Sequence, residues 1–289
     1  MKKQNYDLFG QPIIEDVILR NKFIEPPFSV LDTKSGNWQK RKKQWKKLGI
    51  KSEIGRDATT FNISDWNDKK GNSKLPSDVS IFDPALCEVL YHWFCPSKGK
   101  ILDPFAGGSV RGIVANYLEY RYTGIDIRQE QIDSNREQAL DILNVNNQPN
   151  WYVGDSNLIL DNLQGDYDFV FSCPPYADLE VYSDLKGDIS NMDYVNFIKA
   201  YQEIIAKSCN LLKSGGYACF VVGEVRNKKG NYIGFVPDTI KAFLECGMNY
   251  YNEAILLNSI ASASMRANGN MKTEKLVKVH QNVLVFKKP

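Results

Sequence analysis

The sequence predicts an α/β fold built on a mainly parallel sheet and closed by an antiparallel pair of strands. Three observations predict it. From about residue 80, short apolar runs alternate with amphipathic helical stretches, the pattern of successive strand–helix units. The run YDFVFS at 167–172 is apolar in the manner of a strand buried in a parallel sheet. The last two strand-like runs have no clear helix between them, so they would lie antiparallel.

The elements follow in order. Residues 84–95 (PALCEVLYHWFC) read as an amphipathic helix, with Pro84 where the first helical turn tolerates it. KILDP at 100–104 is a short strand ending in a glycine-containing turn, and 110–120 is the helix after it. YTGID at 122–126 gives a second strand, 129–143 a helix, and 151–153 a third strand. The fourth strand, 167–172, precedes a long helix over 194–212, expected to end at Gly215 and Gly216 because glycine commonly stops helices. YACFVVG at 217–223 is the fifth strand, 237–245 a helix, and strands near 252–257 and 282–286 close the chain.

Residues 1–75 differ in character and are read as a basic N-terminal extension, with 76–289 as the α/β domain. The first part is polar and breaks at a linker-like stretch, NDKKGNSK, at 67–74. The net charge of +2 hides a segregated patch: residues 34–51 carry eight basic side chains and no acidic one, so the remainder is net acidic. A patch of this kind suggests a polyanionic partner. Trp38 and Trp45, seven apart, would share one side of a helix. Two readings stand level: tryptophans anchoring a surface helix with solvated lysines, or an arm whose Lys40, Arg41, Lys42, Lys43, Lys46 and Lys47 contact phosphates, with the aromatics packing it down or touching bases.

Composition excludes several classes. Hydrophobic residues are 43% and charged residues 24% of the chain, ordinary for a soluble domain. No run approaches the roughly 18 apolar residues of a membrane span, and the first residues lack a secretory signal's apolar stretch. A cytoplasmic protein without membrane contact is expected. The six cysteines form no C-x-x-C pair and there are only two histidines, so reduced thiols and no metal site are expected.

Candidate chemistry sits at the strand ends, where ligands bind in such sheets. Asp103 ends the first strand in ILDPFAGGSVRG, whose Gly107 and Gly108 let a backbone approach a ligand closely. Asp126 lies about twenty residues further on, a spacing that suits a carboxylate accepting from ribose hydroxyls. Asp155, in VGDSN, could reach an adenine amino group. The glycines do not form G-x-G-x-x-G, which disfavours a dinucleotide. After the fourth strand comes Ser172-Cys173-Pro174-Pro175-Tyr176. Two prolines remove two N–H donors and stiffen the chain, leaving carbonyls to face a site. Carbonyls accepting from an exocyclic amine favour a pyramidal nitrogen whose lone pair can attack a methyl sulfonium carbon. Tyr176 offers a stacking face for a base flipped from its duplex.

LDPFAGGS and SCPPY resemble motifs I and IV of the S-adenosylmethionine-dependent amino-methyltransferases, which act on N6 of adenine or N4 of cytosine. FDPALCEVLYHWF resembles their motif X, and the order X, I, IV is similar to the gamma arrangement of the DNA enzymes. The resemblance covers about residues 79–287; WQKRKKQWKKLGI and VHQNVLVF also resemble DNA methylases of phages and prophages, some of which belong to restriction–modification systems. It implies a Rossmann-like methyltransferase fold with a seven-stranded, mainly parallel sheet and an antiparallel C-terminal strand. It also implies S-adenosylmethionine as cofactor and double-stranded DNA as partner. By position, Asp103, Phe105, Ala106 and Gly107, with Pro104 and Gly108 in the same loop, would line the methionine end. Asp126 and Ile127 would hold ribose and adenine, Asp155 and Ser156 would close over the adenine, and Phe82 and Asp83 would form the motif X contact. Ser172 to Tyr176 would hold the target base.

One position departs from the family. Cys173 stands where Asp, Asn or Ser normally offers an acceptor oxygen, and a thiol accepts weakly. Backbone carbonyls, with Ser172, could carry the role, and the choice between adenine and cytosine stays open. Carbon-5 cytosine methylation by a nucleophilic Cys173 is disfavoured, because those enzymes place the cysteine after a proline. RNA methylation and a non-catalytic binding protein are the alternatives. Residues 177–193 are read as a loop that orders on substrate, and 258–280, with Arg266, as a flexible basic segment for target recognition. His280 is read as a structural hydrogen-bonder.

Overall fold

The structure, a computed structural model, describes residues 15–50, 82–176, 185, 187–227, 229–258 and 263–289. The expected linker at 67–74 and most of the loop at 177–193 lie outside the described residues.

The fold is carried by strands β1 (Val30–Asp32), β2 (Lys100–Asp103), β3 (Arg121–Asp126), β4 (Asn150–Val153), β5 (Tyr167–Ser172), β6 (Leu212–Val222), β7 (Asn249–Leu257) and β8 (His280–Lys287). They form one eight-stranded sheet in the order β1-β7-β8-β6-β5-β2-β3-β4. All neighbours run parallel except β8, which is antiparallel to both β6 and β7. Seven strands were expected. The eighth is β1, which adds to the outer edge beside β7, with Val30 opposite Ile255, and Thr33 ties it down by donating to the Leu257 carbonyl at 2.5 Å. Three residues are too few to show a strand period, and β1 owes its pairing to β7 rather than to its own sequence.

Helices cover both faces. One cluster holds Phe169 and Phe171 of β5 against α2 (Gly36–Lys47), α3 (Pro84–Phe94) and α4 (Val110–Tyr117); the other holds Val170 against α7 (Tyr194–Leu211) and α8 (Phe235–Glu245). Successive β5 side chains thus enter opposite cores, as a strand buried on both faces requires. Helix α3 starts where expected: Asp83 caps it by accepting from the Ala85 N–H at 3.0 Å, and Pro84 follows. Before it, α1 (Glu15–Phe23) was not expected, and α5 (Gln129–Ile142) and α6 (Ser156–Ile159) complete the second and third crossovers.

Two expectations change. The long helix does not reach the glycines: α7 ends at Leu211, Leu212 pairs with Tyr167, and Gly215 and Gly216 lie inside β6. The register shifts between Tyr167 and Phe169, and Gly215 there has φ +76°, which glycine adopts without strain. The basic segment at 258–280, read as flexible, contains a helix, α9 (Ala263–Met271), while 259–262 lie outside the described residues. Among the described residues no helix is long and apolar enough to cross a membrane.

Candidate active site

The order of strands reverses between β2 and β5: from β2 the chain builds outward through β3 and β4, then returns to β5 and β6 on the other side. Ligands bind at such a switch, beyond the carboxyl ends of the strands. A cavity of about 830 Å³ opens there, within the range that holds a small ligand. Its wall includes Phe82, Asp83, Pro104, Phe105, Gly107, Gly108, Asp126, Ile127, Asp155, Ser156, Cys173, Pro174, Pro175, Tyr176 and Arg266. Most of the residues singled out from sequence therefore converge on one space.

Of the residues expected to hold cofactor or target base, three do not reach that wall: Asp103, Ala106 and Ser172, all fully buried. Asp103 is instead the centre of a network beneath the site. Its carboxylate accepts from Arg111 Nε at 2.5 Å, Tyr122 Oη at 2.6 Å, Ser172 Oγ at 2.6 Å and the Phe105 N–H at 3.2 Å. Ser172 thus binds β5 to β2 rather than facing a target base. The charge is balanced by Arg111, a residue the sequence reading missed. Burial opposes the guanidinium's charge, but Asp103 outweighs it and holds the Arg111 pKa above its ordinary value. Burial, reinforced by Asp103, pushes the Tyr122 phenol well up, so it remains a donor. Arg111 Nη2 also donates to the carbonyls of Phe105 and Ala106 at 2.5 and 2.8 Å, and the guanidinium lies 4.6 Å from the Phe82 ring centroid. One arginine thereby braces the loop after β2 from below and touches the Phe82 ring. Its signal was available: a lone charge in the apolar run VRGIVANY.

The loop itself is held from the side. Gly107, at φ +51°, donates its N–H to Asp126 Oδ2 at 2.9 Å, and the Arg128 N–H donates to Oδ1 at 2.9 Å. Asp126 is half-buried at the end of β3, with its carboxylate fixed at the cavity wall. Asp155 caps α6 by accepting from the Asn157 N–H at 2.8 Å, and Ser156 Oγ donates to the Pro104 carbonyl at 2.6 Å. The loops after β2 and β4 are therefore joined through a buried hydroxyl.

At the base side, Tyr176 packs edge-on against Phe235, 5.9 Å between centroids, and its hydroxyl accepts from Gln281 Nε2 at 2.7 Å. Gln281, on β8, and Glu224, just past β6, also line the cavity. Glu224 accepts from the N–H groups of Gly234 and Val236 at 3.2 and 2.7 Å. Both escaped the sequence reading, although Glu224 follows the same strand-end rule as the other acids. His280 lies on the wall too; burial, then the neighbouring Lys278 charge, lowers its pKa.

The basic N-terminal helix divides. Trp38 and Trp45 are buried and face α3, where their indole N–H groups donate to Asp83 at 3.1 Å and Glu88 at 2.7 Å. Lys42 pairs with Asp83 at 3.0 Å and Arg41 with Glu88 at 2.5 Å, so these two cations are tied to α3. Lys40, Lys43, Lys46 and Lys47 are exposed. The tryptophans pack the helix down onto α3, which both readings allow.

No family model and no curated protein matches the chain. Solved structures do. TrmN from Thermus thermophilus superposes with a TM-score of 0.50 at 15% identity, over 71% of this chain and 49% of TrmN, so the chain spans about half that protein's length. Magnesium protoporphyrin IX methyltransferase (ChlM) from Synechocystis PCC 6803, solved with bound S-adenosylmethionine, gives 0.47 at 13% identity over 81% of this chain and 95% of its own. A precorrin-6y C5,15-methyltransferase from Geobacter metallireducens gives 0.46 at 14% identity, covering 77% and 96%. With the parallel strand order and the antiparallel β8, the chain has the Rossmann-like α/β methyltransferase fold that the sequence led us to expect.

Proposed function

We propose that the chain transfers a methyl group from S-adenosylmethionine to an exocyclic amino group of a nucleic-acid base in DNA, N6 of adenine or N4 of cytosine. The observation that supports this most is that Cys173 to Tyr176 line the same cavity as Gly107, Asp126 and Asp155. A cofactor half and a base half then meet across β2 and β5.

The residues present fit the cofactor. Asp126 and Asp155 are acceptors suited to ribose hydroxyls and an adenine amine, and the loop after β2 lacks the G-x-G-x-x-G pattern of dinucleotide sites. Ile127 gives the adenosyl part an apolar wall, and Phe105 gives one to the methionine end. When bound, S-adenosylmethionine supplies an electrophilic methyl group on a positively charged sulfur. The chain's own contribution is positioning, which can lower a barrier by several kcal/mol, up to about 7–11. Tyr176, fixed by Gln281 and Phe235, presents a ring for stacking a flipped base. The proline-rich backbone orients the amine through carbonyl acceptors. With the cofactor held there, the amine nitrogen would take the methyl group as the carbon–sulfur bond breaks, and the extra proton would leave the nitrogen for water. Direct attack needs no strong base, and Cys173 needs no thiolate.

The reading is tested by calorimetric titration of the protein with S-adenosylmethionine, followed by transfer of labelled methyl to unmethylated duplex DNA or to RNA. Binding plus label in DNA supports it. Absence of cofactor binding overturns it, and label in RNA alone overturns the choice of acceptor.

A further inference from the structure

Beside the cavity, the chain leaves β6 and folds into a tight hairpin. Val225 lines the cavity, and Arg226 and Tyr232 face each other as an antiparallel bridge. The turn is closed by backbone bonds from Ile233 to Val225 (3.0 Å), Asn227 to Asn231 (2.9 Å) and Gly230 to Asn227 (2.8 Å). Asn227 Oδ1 accepts from the N–H groups of Lys229 and Asn231, and Arg226 Nη1 donates to the Gly230 carbonyl at 2.7 Å. The described residues of this hairpin present an aromatic ring to solvent: Tyr232 is 49% exposed. The Arg226 guanidinium lies 4.0 Å from its centroid and the Lys278 ammonium 6.0 Å. Lys275 crosses Gly230 so closely that a Cβ there would overlap its ammonium. Lys278 and Arg266 in turn line the cavity. Aromatic and cationic groups thus run from the hairpin to the cavity wall.

We propose that this hairpin, with Tyr232 as stacking face and Arg226, Lys229, Lys275 and Lys278 as phosphate-binding cations, is the surface that holds the DNA strand next to the base in the cavity. It deepens the function proposed above and rests on it. Bases stack on exposed aromatic rings whatever their sequence, and flanking cations follow the backbone. A strand opened by base flipping exposes unstacked neighbours beside the extruded nucleotide, which is what an exposed ring next to the cavity-lining Lys278 can receive.

The test uses the full chain, a short labelled DNA duplex with one unpaired base, and fluorescence anisotropy over a range of salt. Tyr232→Ala should weaken DNA binding by roughly 5- to 100-fold, one stacked base. The double variant Arg226→Gln, Lys229→Gln should lower the slope of log affinity against log salt by about one for each phosphate that is no longer neutralised. Both variants should bind S-adenosylmethionine by calorimetry as the parent does, which separates a damaged surface from a damaged fold. Parent-like DNA affinity and salt slope in both variants would overturn the hairpin assignment while leaving the proposed function standing. A parent chain that binds RNA of the same length but no DNA would overturn the DNA partner. A parent chain that binds the cofactor but no nucleic acid would overturn the proposed function and this surface together.

Discussion

Replacing Arg111 with methionine removes the cation that balances Asp103 while keeping an unbranched, apolar side chain of similar reach. Asp103 is fully buried and Arg111 nearly so, with Nε and Oδ2 2.5 Å apart. Breaking a buried pair by removing one partner costs about 3–5 kcal/mol, because the remaining charge stays in a poorly polarisable interior. Tyr122 and Ser172 still donate to the carboxylate, which favours the lower end, about 3 kcal/mol. The carbonyls of Phe105 and Ala106 lose their donor as well, at about 1 kcal/mol each. A total near 5 kcal/mol is comparable to much of a domain's net stability, about 5–15 kcal/mol. Urea unfolding followed by circular dichroism measures it, read at unchanged slope. The double variant Asp103→Asn, Arg111→Met should recover at least about 2 kcal/mol, since the buried charge is gone and an amide still meets Ser172 and Tyr122. A loss below about 1 kcal/mol in Arg111→Met, or no recovery in the double variant, would refute the claim that this pair holds the loop after β2.

Further consequences follow from the same geometry. Asp126→Ala should keep the fold and lower S-adenosylmethionine affinity by roughly 10- to 100-fold by calorimetry, since hydrogen bonds to a charged group contribute about 1.5–3 kcal/mol. Cys173→Ala should keep methyl transfer within about tenfold, because a weak acceptor is removed and no thiolate is needed; abolished transfer would assign a nucleophile instead. Asp83→Ala should destabilise the fold by about 1–3 kcal/mol, the loss of a helix cap and of the acceptor shared by Trp38 and Lys42, measured by thermal unfolding. His280 has a lowered pKa, so below the unfolded value of 6.5 the unfolded chain binds more protons and stability falls with pH. His280→Asn should therefore show a shallower loss of stability on acidification below that pH.

Much of the fold was written locally. The run YDFVFS forms β5 over the same residues as expected, because a strand buried on both faces must be apolar throughout. The helix at 84–94 was legible from its proline and its period. What escaped depended on partners distant in sequence. The strand β1 exists because β7 offers it an edge, and α7 stops before the glycines because Leu212 is claimed by β5. The site divides in the same way. The positions of Asp126, Asp155 and Cys173 to Tyr176 on one cavity were legible because topology brings strand ends together. The roles of Asp103 and Ser172 were not: in one dimension nothing tells a carboxylate facing a ligand from one bound to Arg111, Tyr122 and Ser172. Gln281 reaches Tyr176 only because β8 enters the sheet beside β6.

The most direct test of the central claim is nucleoside analysis of duplex DNA after incubation with the purified protein and S-adenosylmethionine labelled at the methyl group. The DNA is digested and its nucleosides are separated and weighed. The account predicts labelled N6-methyladenine or N4-methylcytosine, formed by the parent and absent with Tyr176→Ala. Label found as 5-methylcytosine, or no label in any nucleoside despite measured cofactor binding, would contradict it.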